Sequence, residues 1–114
     1  MQPSPRKCLW EIYDASAFLV ADNADIEFDQ FVRDRRLIAS ALHHLLVIGE
    51  ACRNLRDYFP EVASQFPELN PAIGMRNVIA HEYSDLDYQL VWQTIDQKLA
   101  TLRDRALALY LETP

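Results

Sequence analysis

Eight residues of this 114-residue chain, RNVIAHEY at positions 76 to 83, bring a guanidinium, a carboxamide, an imidazole and a phenol together: Arg76, Asn77, His81 and Tyr83. An arginine and a histidine without metal-ligand spacing around them suit cleavage of a phosphodiester in RNA. The nucleophile already lies in such a substrate, because the ribose 2′-hydroxyl attacks the adjacent phosphate once a base with a pKa near neutrality takes its proton. The imidazole of His81 fits that task. The phosphorane that forms gains negative charge on its oxygens, and the planar fork of Arg76 matches that geometry, a contribution commonly worth ~3 kcal/mol or more per well-placed donor. Asn77 would orient the phosphate or hold the helix turn. A plainer reading stands beside this one: Arg and His near a helix end also suit surface or capping residues that favour the negative end of the helix dipole, with Tyr83 as a rim aromatic. Spacing alone leaves both open.

The elements that carry these residues read as helices. Five positions on an ideal helix rotate a side chain by ~140° and advance it by ~7.5 Å, so Arg76 and His81 do not stack on one face, whereas Asn77 and His81, four apart, share one. A second copy of the chain would complete a site that one copy leaves half built, and dimer symmetry would bring two motifs to one cleft. Asn70-Pro71 reads as a cap followed by proline and predicts a helix from there through Ile73, Met75, Val78 and Ile79. Ser4-Pro5 is the same device and predicts a first helix to about Ala21, with Ser16 interrupting an apolar stripe of Leu9, Ile12, Tyr13, Leu19 and Val20. Asp25 caps a long central helix from Ile26 to about Tyr58, apolar over more than half its circumference. Phe59-Pro60 ends it and opens a loop with one short helical turn. Ser84 with Asp87 resembles a capping box, and Tyr88, Val91, Ile95, Leu99, Leu102, Ala106 and Leu109 predict one last helix to the C-terminus. The expectation is an all-α antiparallel bundle of four to five helices, forming one domain over residues 1–114.

Composition narrows the function classes. The formal net charge of -6 argues against a nonspecific nucleic-acid coat, since such binding comes from Lys and Arg displacing phosphate counterions. The best basic patch for RNA is Arg33, Arg35 and Arg36, a cluster that also suits a solvated face. Cys8 and Cys52 show no CxxC or Cys/His ligand spacing, so inert packing thiols in a reducing cytoplasm are expected, with no metal site and no cofactor. His43 and His44 read as packing or interface residues, since no third ligand lies at helical spacing. The N-terminal stretch has Pro and Glu where a signal peptide needs an apolar core, and no apolar run approaches the ~20 residues of a membrane span.

GMRNVIAHEY, with LVIGEA at 46 to 51 and DYQLVWQTI at 87 to 95, resembles the HepT-like family of the HEPN superfamily over nearly the whole chain. The chain departs from the family's usual Pro-Trp upstream of Gly-Met-Arg-Asn, reading ELNPAIGMRN instead. The resemblance implies a helical homodimer acting as the toxin of a type VII toxin-antitoxin pair, a metal-independent endoribonuclease whose cleft lies between subunits. Arg76 and His81 match its catalytic pair, with Asn77 in support. Tyr83 matches the tyrosine that the partner antitoxin, a minimal nucleotidyltransferase of the MntA kind, modifies with AMP from ATP. A structured RNA such as tRNA is one candidate substrate. The alternative implied by the same residues is a noncatalytic helical dimer that serves as partner or substrate of a nucleotidyltransferase.

Overall fold

The computed structural model describes residues 4–114. Among the described residues there are seven α-helices, one 3-10 turn and no strand. The first helix, α1 (Pro5–Asp22), begins as its sequence requires: Ser4 Oγ accepts a hydrogen bond from the Lys7 amide at 3.1 Å, and Pro5 occupies the first turn, where no N–H is needed. Leu9, Ile12 and Leu19 are fully buried. Ser16, buried among them, donates its hydroxyl to the Ile12 carbonyl at 2.6 Å, which satisfies the one polar group in that stripe.

The long helix expected from Ile26 is two helices, α2 (Phe28–Arg33) and α3 (Arg35–Tyr58). Asp34 makes the break. Its carboxylate accepts from the amides of Arg36 at 2.9 Å and Leu37 at 3.2 Å, so it caps a new helix instead of continuing the old one. Asp25 is not the cap of α2 either, for Glu27 holds that position and its amide is taken by Gln30 Oε1 at 2.9 Å. The turn lets Phe31 point inward, where it is fully buried and meets the Trp92 ring at 5.4 Å.

The short α4 (Pro60–Ala63) follows the Phe59-Pro60 break, and α5 (Leu69–His81) returns alongside α3. This helix starts before Asn70-Pro71, with Glu68 in the capping position and no side-chain cap. The Glu68 carboxylate is drawn away by Arg105, 3.1 Å from its Oε1, while Pro71 sits in the first turn and loses no helical bond. The Ser84 capping box is also not formed. Tyr83–Asp85 close a 3-10 turn, and Asp87 caps α6 (Tyr88–Gln97) by accepting from the Gln89 amide at 3.0 Å. The final helix is divided at Lys98, so that α6 and α7 (Leu99–Glu112) are separate. The two parts differ in their neighbours: α6 lies against α2, while α7 runs along α1. Arg6 ties the ends of α1 and α7 together, 4.0 Å above the Tyr110 ring and donating to the Thr113 carbonyl at 2.8 Å.

The main packing contacts order the long helices as α7, α1, α3, α5, with buried residues of all four in one apolar cluster. Thus α5, which carries the RNVIAH run, is an outer helix supported mainly by α3. Its free flank borders a groove of about 420 Å³, with Met75 and Val78 on one side, Thr94 and Leu102 on the other, and Leu45 and Ile48 of α3 behind. No helix among the described residues is long and apolar enough to cross a membrane.

Cys8 and Cys52 are both free and buried in the core. Burial pushes the Cys52 thiol up to about 12 from 9.0, with Cys8 adding to the shift, and burial also raises Cys8. A thiol whose folded pKa lies above its unfolded value leaves stability untouched at lower pH. Between 9.0 and about 12 only the unfolded chain releases the Cys52 proton, so stability falls as pH rises. The expected loss is about 1.4 kcal/mol per pH unit for that thiol across this window, measured by urea unfolding at stepped pH. Cys52→Ala or Cys52→Val would flatten the slope; an unchanged slope contradicts the assignment.

Candidate active site

Arg76 enters the site from the contact between α5 and α3. A Cβ added to Gly49 would collide with Arg76 Cβ, and would lie 2.7 Å from its Cγ and 3.2 Å from the Ala72 carbonyl oxygen. The absence of a side chain at Gly49 is therefore what lets the Arg76 stem lie against the α3 backbone. From there the guanidinium reaches two partners. Its Nη1 donates to Asn77 Oδ1 at 3.2 Å, and its Nη2 lies 3.6 Å from Glu50 Oε2. The other carboxylate oxygen of Glu50 accepts from Arg53 Nη2 at 3.0 Å. With side chains 28% exposed for Arg76 and 42% for Glu50, the pair belongs to the class worth ~0.2–1 kcal/mol, too little to make stability its main consequence. Arg76 still shows part of its surface to solvent.

Asn77 and His81 occupy the exposed side of α5, and His81 is the last residue of that helix. Arg76 instead faces α3, as the angular separation of the two residues requires. The structure thus links Arg76 with Asn77 directly, while His81 projects from the helix end at the negative pole of its dipole. Tyr83 lies beyond α5, at the start of the 3-10 turn, and is 60% exposed. Its ring is open to solvent.

Arg33, Arg35 and Arg36 gather at the α2 to α3 junction around an open hollow that also includes Gln30 and Asp34. Arg33 ends α2 with Nε donating to the Asp29 carbonyl at 3.0 Å, while Arg35 and Arg36 open α3 and are exposed. Arg36 and Gly49 are thirteen positions apart on α3, ~20 Å of helix, so these cations lie away from the Arg76 region and do not join it. His44 is held as a packing residue, stacked on Phe18 at 4.5 Å with Nδ1 2.7 Å from the Ser40 carbonyl, and His43 meets it edge-on at 5.0 Å. No group of three or more His, Cys, Asp or Glu among the described residues is arranged to hold a metal ion.

Sequence reasoning overlooked Glu50 and Arg53. Their three-residue spacing on one helix was a readable signal for an ion pair. The contact with Arg76, 26 positions along the chain from Glu50, had no local signature.

The second glycine, Gly74, behaves differently from Gly49. It is exposed in the middle of α5, has no left-handed backbone, and a Cβ there would meet nothing within 4 Å. Glycine in a helix interior costs ~1 kcal/mol relative to alanine, and within this chain no close approach repays that cost. Gly74 lies on the same exposed side of α5 as Asn77 and His81.

Comparison with known proteins places this geometry in context. The family model described as "Ribonuclease HepT-like" matches residues 11–109. A candidate RNase of Caldanaerobacter subterraneus subsp. tengcongensis is 35% identical over 99 residues, covering 87% of this chain and 88% of the relative. A candidate RNase of Methanocaldococcus jannaschii is 25% identical over 97 residues, covering 83% and 86%. The probable ribonuclease HepT of Thermococcus cleftensis is 25% identical over 105 residues, covering 92% and 94%. No solved structure matches the chain significantly.

Proposed function

Because the chain belongs to the HepT-like ribonuclease family, we propose that it is an endoribonuclease that cleaves RNA by 2′-hydroxyl transesterification at Arg76 and His81, without a metal ion. The observation that carries this reading is the placement of Arg76: its stem is seated on Gly49, its head is held by Asn77 and Glu50, and part of it remains exposed, with His81 exposed at the end of the same helix. His81 removes the 2′-hydroxyl proton, the 2′-oxygen bonds to phosphorus, and the bond from phosphorus to the 5′-oxygen breaks. A proton must then reach that departing oxygen. Arg76 neutralises the nonbridging oxygens as the phosphorane forms. The products are a 2′,3′-cyclic phosphate and a free 5′-hydroxyl.

One chain offers one such imidazole, and the proton for the leaving group has a natural source in a second copy. A homodimer in which two α5 helices face each other would supply it, and Gly74 supports this arrangement, since a bare helix backbone at that position permits close approach by another molecule. Gly74→Ala should then stabilise the isolated fold by ~0.5–1 kcal/mol while weakening the dimer and its RNA cleavage. Unfolding measurements, sedimentation and an RNA assay on the one variant check both signs; gains in all three contradict the dimer reading. The arginines Arg33, Arg35 and Arg36, ~20 Å along α3 from the Arg76 seat, would serve as remote contacts for the RNA backbone, with a structured RNA such as tRNA as substrate class.

In this reading the protein is the toxin of a type VII toxin-antitoxin pair, and an MntA-like nucleotidyltransferase uses ATP to place AMP on Tyr83. The exposure of Tyr83, two residues from His81, supports it. The decisive experiment treats total RNA with the purified protein in EDTA and analyses the new ends. Cleavage leaving 2′,3′-cyclic phosphates is expected. Intact RNA together with AMP on Tyr83 would instead favour a noncatalytic dimer that serves as substrate of the nucleotidyltransferase.

A further inference from the structure

We propose that Glu50 is a positioning residue for this reaction, holding the Arg76 guanidinium where the scissile phosphate must meet it; the proposal rests on the ribonuclease reading above. Two consecutive residues of α3 act on one side chain of α5. Gly49 seats the Arg76 stem by leaving its own Cβ space empty, and Glu50 approaches the head at 3.6 Å. Glu50 is itself braced, because its other oxygen is held by Arg53 at 3.0 Å on the same helix. Asn77 meets the guanidinium from a different direction at 3.2 Å. A long side chain that would otherwise sample many rotamers is thus seated at its base and contacted twice at its tip, leaving its other N–H donors for a ligand.

Charge makes the arrangement informative. RNA is a polyanion, so a carboxylate beside the phosphate-binding arginine repels the substrate. An acidic side chain there gains nothing for affinity, so its contribution to the reaction would lie in placement, where a misplacement of ~1 Å is enough to cost ~100-fold in rate.

The two roles predict opposite outcomes for Glu50→Gln, which removes the charge and keeps the shape. If Glu50 positions Arg76, the variant binds RNA as tightly as the parent protein or more tightly, yet cuts ~10- to 100-fold more slowly at saturating RNA. A bystander carboxylate predicts tighter binding with cutting at least as fast. Glu50→Asp, which keeps the charge but withdraws it by one carbon, should fall between, and it serves as the second arm if Glu50→Gln folds poorly. Thermal unfolding of each variant separates lost folding from lost rate. The closing measurement repeats Glu50→Gln in an Arg76→Lys background. A residue that works through the guanidinium has no further effect there, whereas an equal loss in both backgrounds overturns the proposal. Undiminished cutting by both Glu50 variants overturns it as well. If the parent protein leaves RNA intact, the ribonuclease reading fails and takes this proposal with it; if the parent cuts and Glu50→Gln cuts equally, only the proposal fails.

Discussion

His81→Ala is expected to slow RNA cleavage by ~10²–10⁴-fold, the range for loss of a general acid-base group, while leaving the fold intact. The fold should survive because His81 ends α5 and is exposed, so its removal opens no cavity. Arg76→Ala should cost at least ~10²-fold, since it removes the donor fork for the phosphorane and leaves Glu50 paired with Arg53 alone. Arg76→Lys keeps the charge but not the planar fork, and should recover binding better than rate. Single-turnover cleavage of a defined RNA, with circular dichroism on each variant, checks the set. Equal rates for the parent protein and both alanine variants would remove Arg76 and His81 from the reaction.

Adenylylation of Tyr83 is expected to abolish cleavage. The modification would place a nucleoside and a phosphate charge two residues from His81, at a ring that is 60% exposed, so RNA would meet both bulk and like charge at the helix end. Incubation with the cognate nucleotidyltransferase and ATP should raise the intact mass in steps of AMP, and activity should fall with the modified fraction. Tyr83→Phe should remain active and unmodified, because it keeps the exposed ring and removes only the hydroxyl that would accept AMP. Modification of Tyr83→Phe at the same stoichiometry would move the acceptor elsewhere; loss of its activity before any modification would show that the phenol serves cleavage itself.

How much of this was legible before folding depended on the range of each interaction. Ser4-Pro5 is a complete local instruction, and α1 starts there. The break at Phe59-Pro60 is equally local, because proline cannot continue the preceding helix. Asp34 was legible in principle as a cap, yet the surrounding apolar run suggested continuity; the carboxylate's two bonds to backbone amides won. Asn70-Pro71 and Ser84 failed as caps for neighbouring reasons. Helix α5 begins earlier under a Glu68 engaged by Arg105, and Ser84 is absorbed by a 3-10 turn that leaves Asp87 to cap α6.

Residue order and type were sufficient for the helical class, for the stripe that buries α1, and for placing Arg76 and His81 on different faces of one helix, because each depends on a repeat of a few positions along one helix. Packing decided the rest. At Lys98 the chain passes from a helix packed on α2 to one packed along α1, and the guanidinium of Arg76 owes its position to Gly49 and Glu50 on another helix. Such contacts join segments far apart in the chain, and the energy that selects them exists only when the helices meet.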